Sequence, residues 1–349
     1  MTPKPTYRWQ PTTAEVAERF GLLESQIVRF DHNTSPNDTA WAAGIVSPVA
    51  RGLNEYPGAS YLSLRRAAGN YVGIDEMNIV PGAGIDELIL LVAKAFLRPE
   101  SQATAVVPTY PLYEIATTQH GADFVPVEQT RLNMFPLDAF SEAAETSDVT
   151  WLCVPNNPTG ERIDDEAIRR ILRSAKGLVV LDAAYAEYAG DRWAAWVNHY
   201  PNLLVLHTLS KGFALAGIRV GFGVGNTATI GELDKVRPPG SIATLSQFLA
   251  EKALAEPQRM LRAVEGISKE RARFTTALSD AGIAVLPSTT NFVLCHFGPH
   301  AGDLANLLLT EGLIVRSYPQ EHQLHTFLRF TVRSSVDNDR LVAAIRRHS

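Results

Sequence analysis

Cysteine is scarce here: among 349 residues only Cys153 and Cys295 occur, far apart in sequence. That excludes a disulfide framework and a cysteine-based zinc site. Long apolar runs are missing as well, so no segment is expected to span a membrane. Met1–Gln10 lacks the apolar core of a secretion signal, and a cytoplasmic protein is the expectation. Positive charge is not in excess: 32 Lys and Arg face 37 Asp and Glu, for a net charge of −5. Neither nucleic acid nor an anionic membrane is an expected partner. The histidines show no metal-ligand spacing, so no metal is expected. His207 is expected to pack behind the segment that follows it, and His322 and His325 to face solvent, with a place toward the substrate as the alternative. Short repeats and low-complexity segments are absent too.

What is present suits a globular enzyme, with 46% hydrophobic and 20% charged residues. The length exceeds what one growing core accommodates, which predicts a large domain and a smaller one. The middle of the chain alternates short apolar runs with helical patterns. The runs are Ala103–Val107, Asp123–Val127, Thr150–Val154, Leu178–Leu181 and Leu203–His207, with a further strand at Ile218–Val224. Helices are predicted at Thr13–Phe20, Ser63–Tyr71, Asp86–Phe96, Pro111–Gln119, Leu137–Glu145 and Asp165–Ser174. Uniformly apolar strands alternating with helices predict an α/β fold with a mostly parallel sheet. After Pro238-Pro-Gly240 the texture changes to one long helical stretch, Leu245–Leu278, and then a mixed pattern. The expected division is an N-terminal segment, 1–44, a large α/β domain, 45–245, and a small α+β domain, 246–349.

In an α/β sheet, ligands bind beyond the carboxyl ends of the strands, and several of those ends here carry polar groups. Leu203–Leu206 leads into Thr208-Leu-Ser-Lys211, and Arg219 follows between Gly217 and Gly221. A lysine just past a buried strand can lose its proton and form an imine with an aldehyde. Hydroxyls and a guanidinium beside it would hold a phosphate. An aldehyde with a phosphate outlines pyridoxal phosphate. Leu178–Leu181 ends in Asp182, with Tyr185 just after it. An acid closing so apolar a strand is costly unless paired; it either caps the next segment or faces a pyridine nitrogen. Pro155-Asn-Asn-Pro-Thr-Gly160 is either a plain turn or a means of bringing the Asn157 amide to the ring oxygen. Gly82-Ala-Gly84 opens a helix at Ile85 and Asp86, whose N–H groups and dipole suit a phosphate. Tyr110 offers either a core ring or a stacking face. Each element alone is ambiguous, but their shared placement after buried strands is not.

With these residues in this order, the chain resembles the class I/II aminotransferases of the fold-type I, pyridoxal-phosphate-dependent group. The nearest likeness is to histidinol-phosphate aminotransferases and threonine-phosphate decarboxylases. It covers the chain from about Asp31 onward and rests chiefly on Thr208–Phe222, Asn157-Pro-Thr-Gly160 and Asp182/Tyr185. The resemblance implies a seven-stranded type of sheet in the large domain. It makes Lys211 the imine-forming lysine, Asp182 the acid on the pyridine nitrogen, and Asn157 and Tyr185 the pair on the ring oxygen. Tyr110 becomes the stacking aromatic. Gly84, Ile85, Asp86, Thr208, Ser210 and Arg219 become the phosphate site. Tyr56 matches a tyrosine that reaches the partner subunit's cofactor, implying a homodimer with shared sites. Arg329 matches the arginine that grips a substrate carboxylate or its counterpart, and Arg316 a residue at the distal end, where this family meets a phosphate. Asn33 aligns with a substrate-facing asparagine. Departures occur at Asp31-His-Asn-Thr-Ser-Pro36 and at Arg333-Ser-Ser335, both on the substrate side.

The implied reaction moves an amino group from an amino acid or an amino-acid-like phosphate, such as histidinol phosphate, to a 2-oxo acid such as 2-oxoglutarate. Threonine-phosphate decarboxylation and transamination of aromatic or other amino acids are the alternatives on the same fold. A non-catalytic ligand-sensing domain lacks its basic DNA-binding segment here. A nicotinamide dehydrogenase lacks its third glycine after Gly82-Ala-Gly84.

Overall fold

The computed structural model describes residues 5–7, 10–37, 39–44, 53–190 and 192–348. Strand β1 (Val28–Arg29) lies near the N-terminus. The central strands are β2 (Ile79–Gly82), β3 (Gln102–Val107), β4 (Asp123–Glu128), β5 (Val149–Cys153), β6 (Leu178–Asp182), β7 (Leu203–Thr208) and β8 (Gly221–Gly225). They form one seven-stranded sheet in the order β2-β8-β7-β6-β5-β3-β4. Every pairing is parallel except those of β8, which runs antiparallel to β2 and β7. The mostly parallel α/β sheet expected from the apolar runs is therefore present.

The sequence explains the layering. In β5, β6 and β7 every residue is buried, as befits strands covered on both faces. Edge strand β4 has only exposed and half-buried positions. The covering helices are amphipathic: Asp165–Ser174 turns Ile168, Ile171 and Leu172 inward. Asp164 caps that helix by accepting the Ala167 N–H, a contact contributing about 1 kcal/mol. Burying each such leucine or isoleucine stabilises the fold by roughly 1.5–3 kcal/mol.

The chain's last part builds a second, smaller sheet. Its strands are β9 (Ala284–Val285), β10 (Phe292–His296) and β12 (Phe327–Thr331), in the antiparallel order β12-β10-β9. Strand β11 (Leu313–Ile314) pairs in parallel with β1 instead, tying the N-terminal segment to the C-terminal elements. The boundary expected after residue 44 abuts residues 45–52, which lie outside the described residues. Helices Gln258–Asp280, Ala301–Thr310 and Ser335–His348 accompany this sheet.

One expectation needs correction. The stretch expected to be helical from Leu245 to Leu278 is two helices, Thr244–Ala255 and Gln258–Asp280. Pro257 is the reason: its ring disfavours helical geometry at the preceding residue, and Glu256 sits at φ −123°, ψ 58°. Strands β1, β9 and β11 have only two residues each, too few to show a period.

Candidate active site

The carboxyl ends of β5, β6 and β7 converge with the start of the helix Ile85–Phe96 and with Arg329 on β12. Lys211 follows β7 in a turn held by its own carbonyl, which accepts the Tyr188 hydroxyl at 3.2 Å. Its Nζ donates to the His32 carbonyl at 3.2 Å and lies 5.9 Å from the Tyr185 ring centre. Burial, with Arg329 next, pulls the Lys211 ammonium down to about 8; Asp86 and Asp182 oppose that shift. At pH 7 roughly a tenth of this amine is therefore unprotonated and nucleophilic, far more than for an ordinary lysine.

Asp182 closes β6 and is 3% exposed. Its Oδ1 accepts the Ala184 N–H at 3.0 Å within the turn, while the helix that follows starts at Ala186 after Tyr185, so Asp182 is not the helix cap anticipated as one alternative. Its Oδ2 accepts the Tyr113 hydroxyl at 2.6 Å. Burial pushes the Asp182 carboxyl up to about 6, while these hydrogen bonds favour the anion. Tyr113 was missed in the sequence. It lies on the first turn of the helix Leu112–Gln119 and carries no motif of its own.

Tyr185 and Asn33 meet directly: the Asn33 Nδ2 donates to the Tyr185 hydroxyl at 3.0 Å. Burial raises the Tyr185 phenol above its ordinary value. Asn33 adopts the left-handed region, φ 52°, and its backbone N–H reaches the Thr331 hydroxyl at 2.9 Å. Asparagine tolerates that conformation better than most residues. Arg329 is 7% exposed. Its guanidinium donates to the Asn157 side-chain oxygen and, at 2.6 Å, to the Asp31 carbonyl. Its Nε is buried without a partner among the described residues. Arg316 bridges Arg329 through the backbone in both directions, at 3.2 and 3.0 Å. Burial, and then the Arg329 charge, lowers the Arg316 pKa. The nearby Asp31 carboxylate is already gripped by Arg29 at 2.9 and 2.6 Å. The Arg316 and Arg329 charges thus lie close enough to act on each other.

Gly84, Arg219 and Gly221 approach one another closely where Gly84 precedes the helix. Gly84 sits at φ 84°, and an added Cβ would come within 2.6 Å of the Arg219 Nη2. At Gly221, opposite, a Cβ would lie 3.0 Å from the Ile85 nitrogen. Arg219 donates to the Ser210 hydroxyl at 3.2 Å and to the Asp86 carboxylate at 2.9 Å. The Ser210 N–H donates to the Thr208 hydroxyl at 3.1 Å. Tyr110 donates to the other Asp86 oxygen at 2.9 Å. Asp86 thus joins Tyr110 to Arg219 through its side chain, a role unreadable from a helix-start motif. A Gly84→Ala protein should bind inorganic phosphate and phosphorylated ligands roughly tenfold more weakly, about 1.4 kcal/mol, because the added Cβ displaces the Arg219 guanidinium beside the site. Isothermal titration of the purified protein checks this.

Tyr56 stands apart, 96% exposed and beside half-exposed Leu53. His207 is buried and stacks on Phe222 at 5.1 Å, behind the lysine turn as expected. His322 is half-buried rather than solvent-facing, because its ring stacks on Tyr318 at 4.9 Å.

The donor set fits a pyridine aldehyde phosphate. There is an amine of lowered pKa, a buried acid with room for one more partner, and a glycine-lined cup beside an arginine. Among the described residues, no group of three His, Cys, Asp or Glu could hold a metal, and no helix is long and apolar enough to cross a membrane.

Residues 22–345 match the family model for aminotransferase class I and II. A histidinol-phosphate aminotransferase from Caldanaerobacter subterraneus is 36% identical over 297 residues, covering 84% of each chain. One from Halalkalibacterium halodurans is 32% identical and spans 98% of this chain and 94% of its own. Among solved structures, histidinol-phosphate aminotransferase from Sinorhizobium meliloti, in complex with pyridoxal-5'-phosphate, superposes with a TM-score of 0.89 at 23% identity. That match covers 97% of this chain and 95% of the other. L-threonine-O-3-phosphate decarboxylase from Porphyromonas gingivalis shares the fold at a TM-score of 0.81 and 22% identity, over 92% of this chain and 99% of its own. With a family model spanning most of its length and relatives this similar end to end, the chain belongs to the aminotransferase class I and II family.

Proposed function

We propose that this protein is a pyridoxal-phosphate-dependent aminotransferase whose amino donor is histidinol phosphate and whose acceptor is a 2-oxo acid such as 2-oxoglutarate. The observation that carries this reading is the convergence of Lys211, Asp182, Asn157 and Tyr185 with the Gly84–Arg219 cup at one end of the sheet. Relatives above 30% identity that bear the histidinol-phosphate aminotransferase name support the donor. The adjacent guanidiniums of Arg316 and Arg329 support an anionic distal group.

When bound, pyridoxal phosphate supplies an aldehyde that condenses with amines and a ring that accepts electron density from Cα. Gly84, Ile85 and Asp86, through their backbone, would hold its phosphate together with Thr208, Ser210 and Arg219. Asp182 would face the ring nitrogen, and at pH 7 it is mostly ionised, as a protonated ring requires. Tyr110 would cover one face of the ring. Asn157 and Tyr185 would hydrogen-bond the ring oxygen. Arg329 grips the substrate anion, Asn33 lies beside it, and Arg316 receives the distal phosphate. Lys211 Nζ takes the proton from the substrate's Cα and later returns one; a positioned amine base contributes about 10²–10⁴-fold. The domains divide as 1–44 with 246–349 against 45–245. The active form is a homodimer, with exposed Tyr56 reaching across to the second site. The substrates are small molecules, and the protein works in the cytoplasm.

A half-reaction screen tests the proposal. Histidinol phosphate added to the cofactor-loaded protein should yield pyridoxamine phosphate, and 2-oxoglutarate should reverse it. Release of CO₂ from threonine phosphate without pyridoxamine phosphate would replace this reading with the decarboxylase one.

A further inference from the structure

We propose that Tyr113 is a positioning residue that keeps Asp182 ionised and aimed along the plane of the ring site. The inference rests on the cofactor reading above and extends it to a residue outside the motif set. Asp182 lies at the buried end of β6 with no salt-bridge partner among the described residues. Its hydrogen bonds are the Ala184 N–H at 3.0 Å and the Tyr113 hydroxyl at 2.6 Å. The first fixes Oδ1 within its own turn. The second comes from a different helix and sets the rotation of the carboxylate. A buried carboxylate kept by neutral donors depends on each of them, because a lost donor leaves the charge desolvated.

Tyr113 is itself held on every side. Its ring stacks on Trp151 at 5.3 Å and 11°, and meets the edge of Tyr110 at 5.8 Å and 83°. Its carbonyl accepts the Thr117 hydroxyl at 2.7 Å, and Thr117 in turn accepts the Trp151 indole N–H at 3.2 Å. The tyrosine therefore places its hydroxyl on Asp182, with the Cys153 thiol the second group within its reach. A phenylalanine would pack equally well, so a merely structural tyrosine would not need its oxygen. That oxygen is the reason to assign a functional role.

The other titratable groups facing Asp182 come from every neighbouring element. Tyr110 lies before the helix Leu112–Gln119, Cys153 at the end of β5, and Asp86 at the start of the helix Ile85–Phe96. Tyr185 follows β6, and Lys211 follows β7. Burial keeps Tyr110, Tyr185 and Cys153 protonated across the ordinary pH range, since it raises each of them. Asp86 disfavours ionised Asp182, and Lys211 favours it. With the Tyr113 hydroxyl gone, the burial penalty on Asp182 is opposed by one hydrogen bond fewer, and its pKa moves up from about 6. Below the new pKa the acid is neutral and cannot pair with a protonated ring nitrogen. Above it, the pairing returns.

The test is the pH dependence of equilibrium affinity for pyridoxal phosphate, measured on apo-protein by fluorescence titration from pH 5.5 to 9. In Tyr113→Phe, the dissociation constant should rise roughly tenfold or more near pH 6 and approach the parent value near pH 9. The acid limb should shift upward by about one pH unit. In an Asp182→Asn background, the same substitution should change affinity little and without pH dependence. A ratio of variant to parent affinity that is flat across pH overturns the proposal. So does an equal effect in the Asp182→Asn background. Thermal unfolding of Tyr113→Phe within a few degrees of the parent confirms that the fold is intact. If it unfolds early, Tyr113→His, which restores a donor, must recover the parent pH limb or the proposal fails. A parent protein that does not bind the cofactor at all overturns the function reading instead, so the two failures are distinguishable.

Discussion

A Lys211→Ala protein should lose turnover by roughly four orders of magnitude, the upper range for removing a positioned base. It should also lose the borohydride-reducible adduct that the parent forms without added amine. Neither effect should come from unfolding. Among the described residues the Lys211 side chain makes one hydrogen bond, to the His32 carbonyl at 3.2 Å. Burial lowers its pKa from an ordinary 10.5 to about 8. The folded apo-protein thus binds this proton less well than the unfolded chain. Below pH 8 the charged amine costs stability, and that cost fades as pH rises from about 8 to 10.5. Replacing it by alanine should leave the melting temperature unchanged or raised at pH 7, with the gain vanishing at pH 10.5. Single-turnover kinetics, mass spectrometry after borohydride and calorimetry at both pH values check the three statements. An adduct that survives in the variant would exclude Lys211 as the amine.

Arg329→Ala should lower kcat/KM by about 10²–10³, because it strips a buried guanidinium from the substrate anion at a cost of roughly 2–5 kcal/mol. The structure adds a second loss. Arg329 also donates to Asn157 and to the Asp31 carbonyl, and it lies 5.1 Å from the Phe292 ring centre. Its removal leaves the buried Asp31 carbonyl without this donor, at about 1–3 kcal/mol, and the half-buried Asn157 oxygen to solvent, so the melting temperature should fall too. Arg329→Lys keeps the charge but not the fork that spans two acceptors, and should recover little of either. Steady-state kinetics with varied acceptor, beside thermal unfolding, separates these contributions. An Arg329→Ala enzyme with unchanged KM for both donor and acceptor would show that another group binds the anion.

The cofactor half of the site was legible because its residues cluster within a few positions of strand ends. Ser210, Lys211, Asp182 and Tyr185 each follow an apolar run whose direction orients them toward one edge of the sheet. Secondary structure was legible for the same reason: runs of five or six buried residues and helices with one apolar stripe carry a strong period. The two-residue strands β1, β9 and β11 carry none. The break at Pro257 was visible as a proline, but the long apolar periodicity on either side of it outweighed that signal. Tyr113 was not legible at all. A tyrosine on the first turn of a helix can point to solvent, to the core or to a partner sixty-nine positions away, and only packing chooses.

The sequence by itself determined the order of chemical groups along an α/β chain: phosphate loop, aromatic, amide, acid, lysine, arginine. Local chemistry suffices for that, since most of these groups follow their own strand's end, with Arg219 just before β8. Tertiary structure alone decided which groups share a proton or an anion. Asp182 meets Tyr113, Asn157 meets Arg329, Asp86 links Tyr110 to Arg219, and Asn33 meets Tyr185. The physical reason is that these contacts join elements far apart in the chain, and their geometry follows from how helices and sheets pack rather than from any spacing a sequence displays.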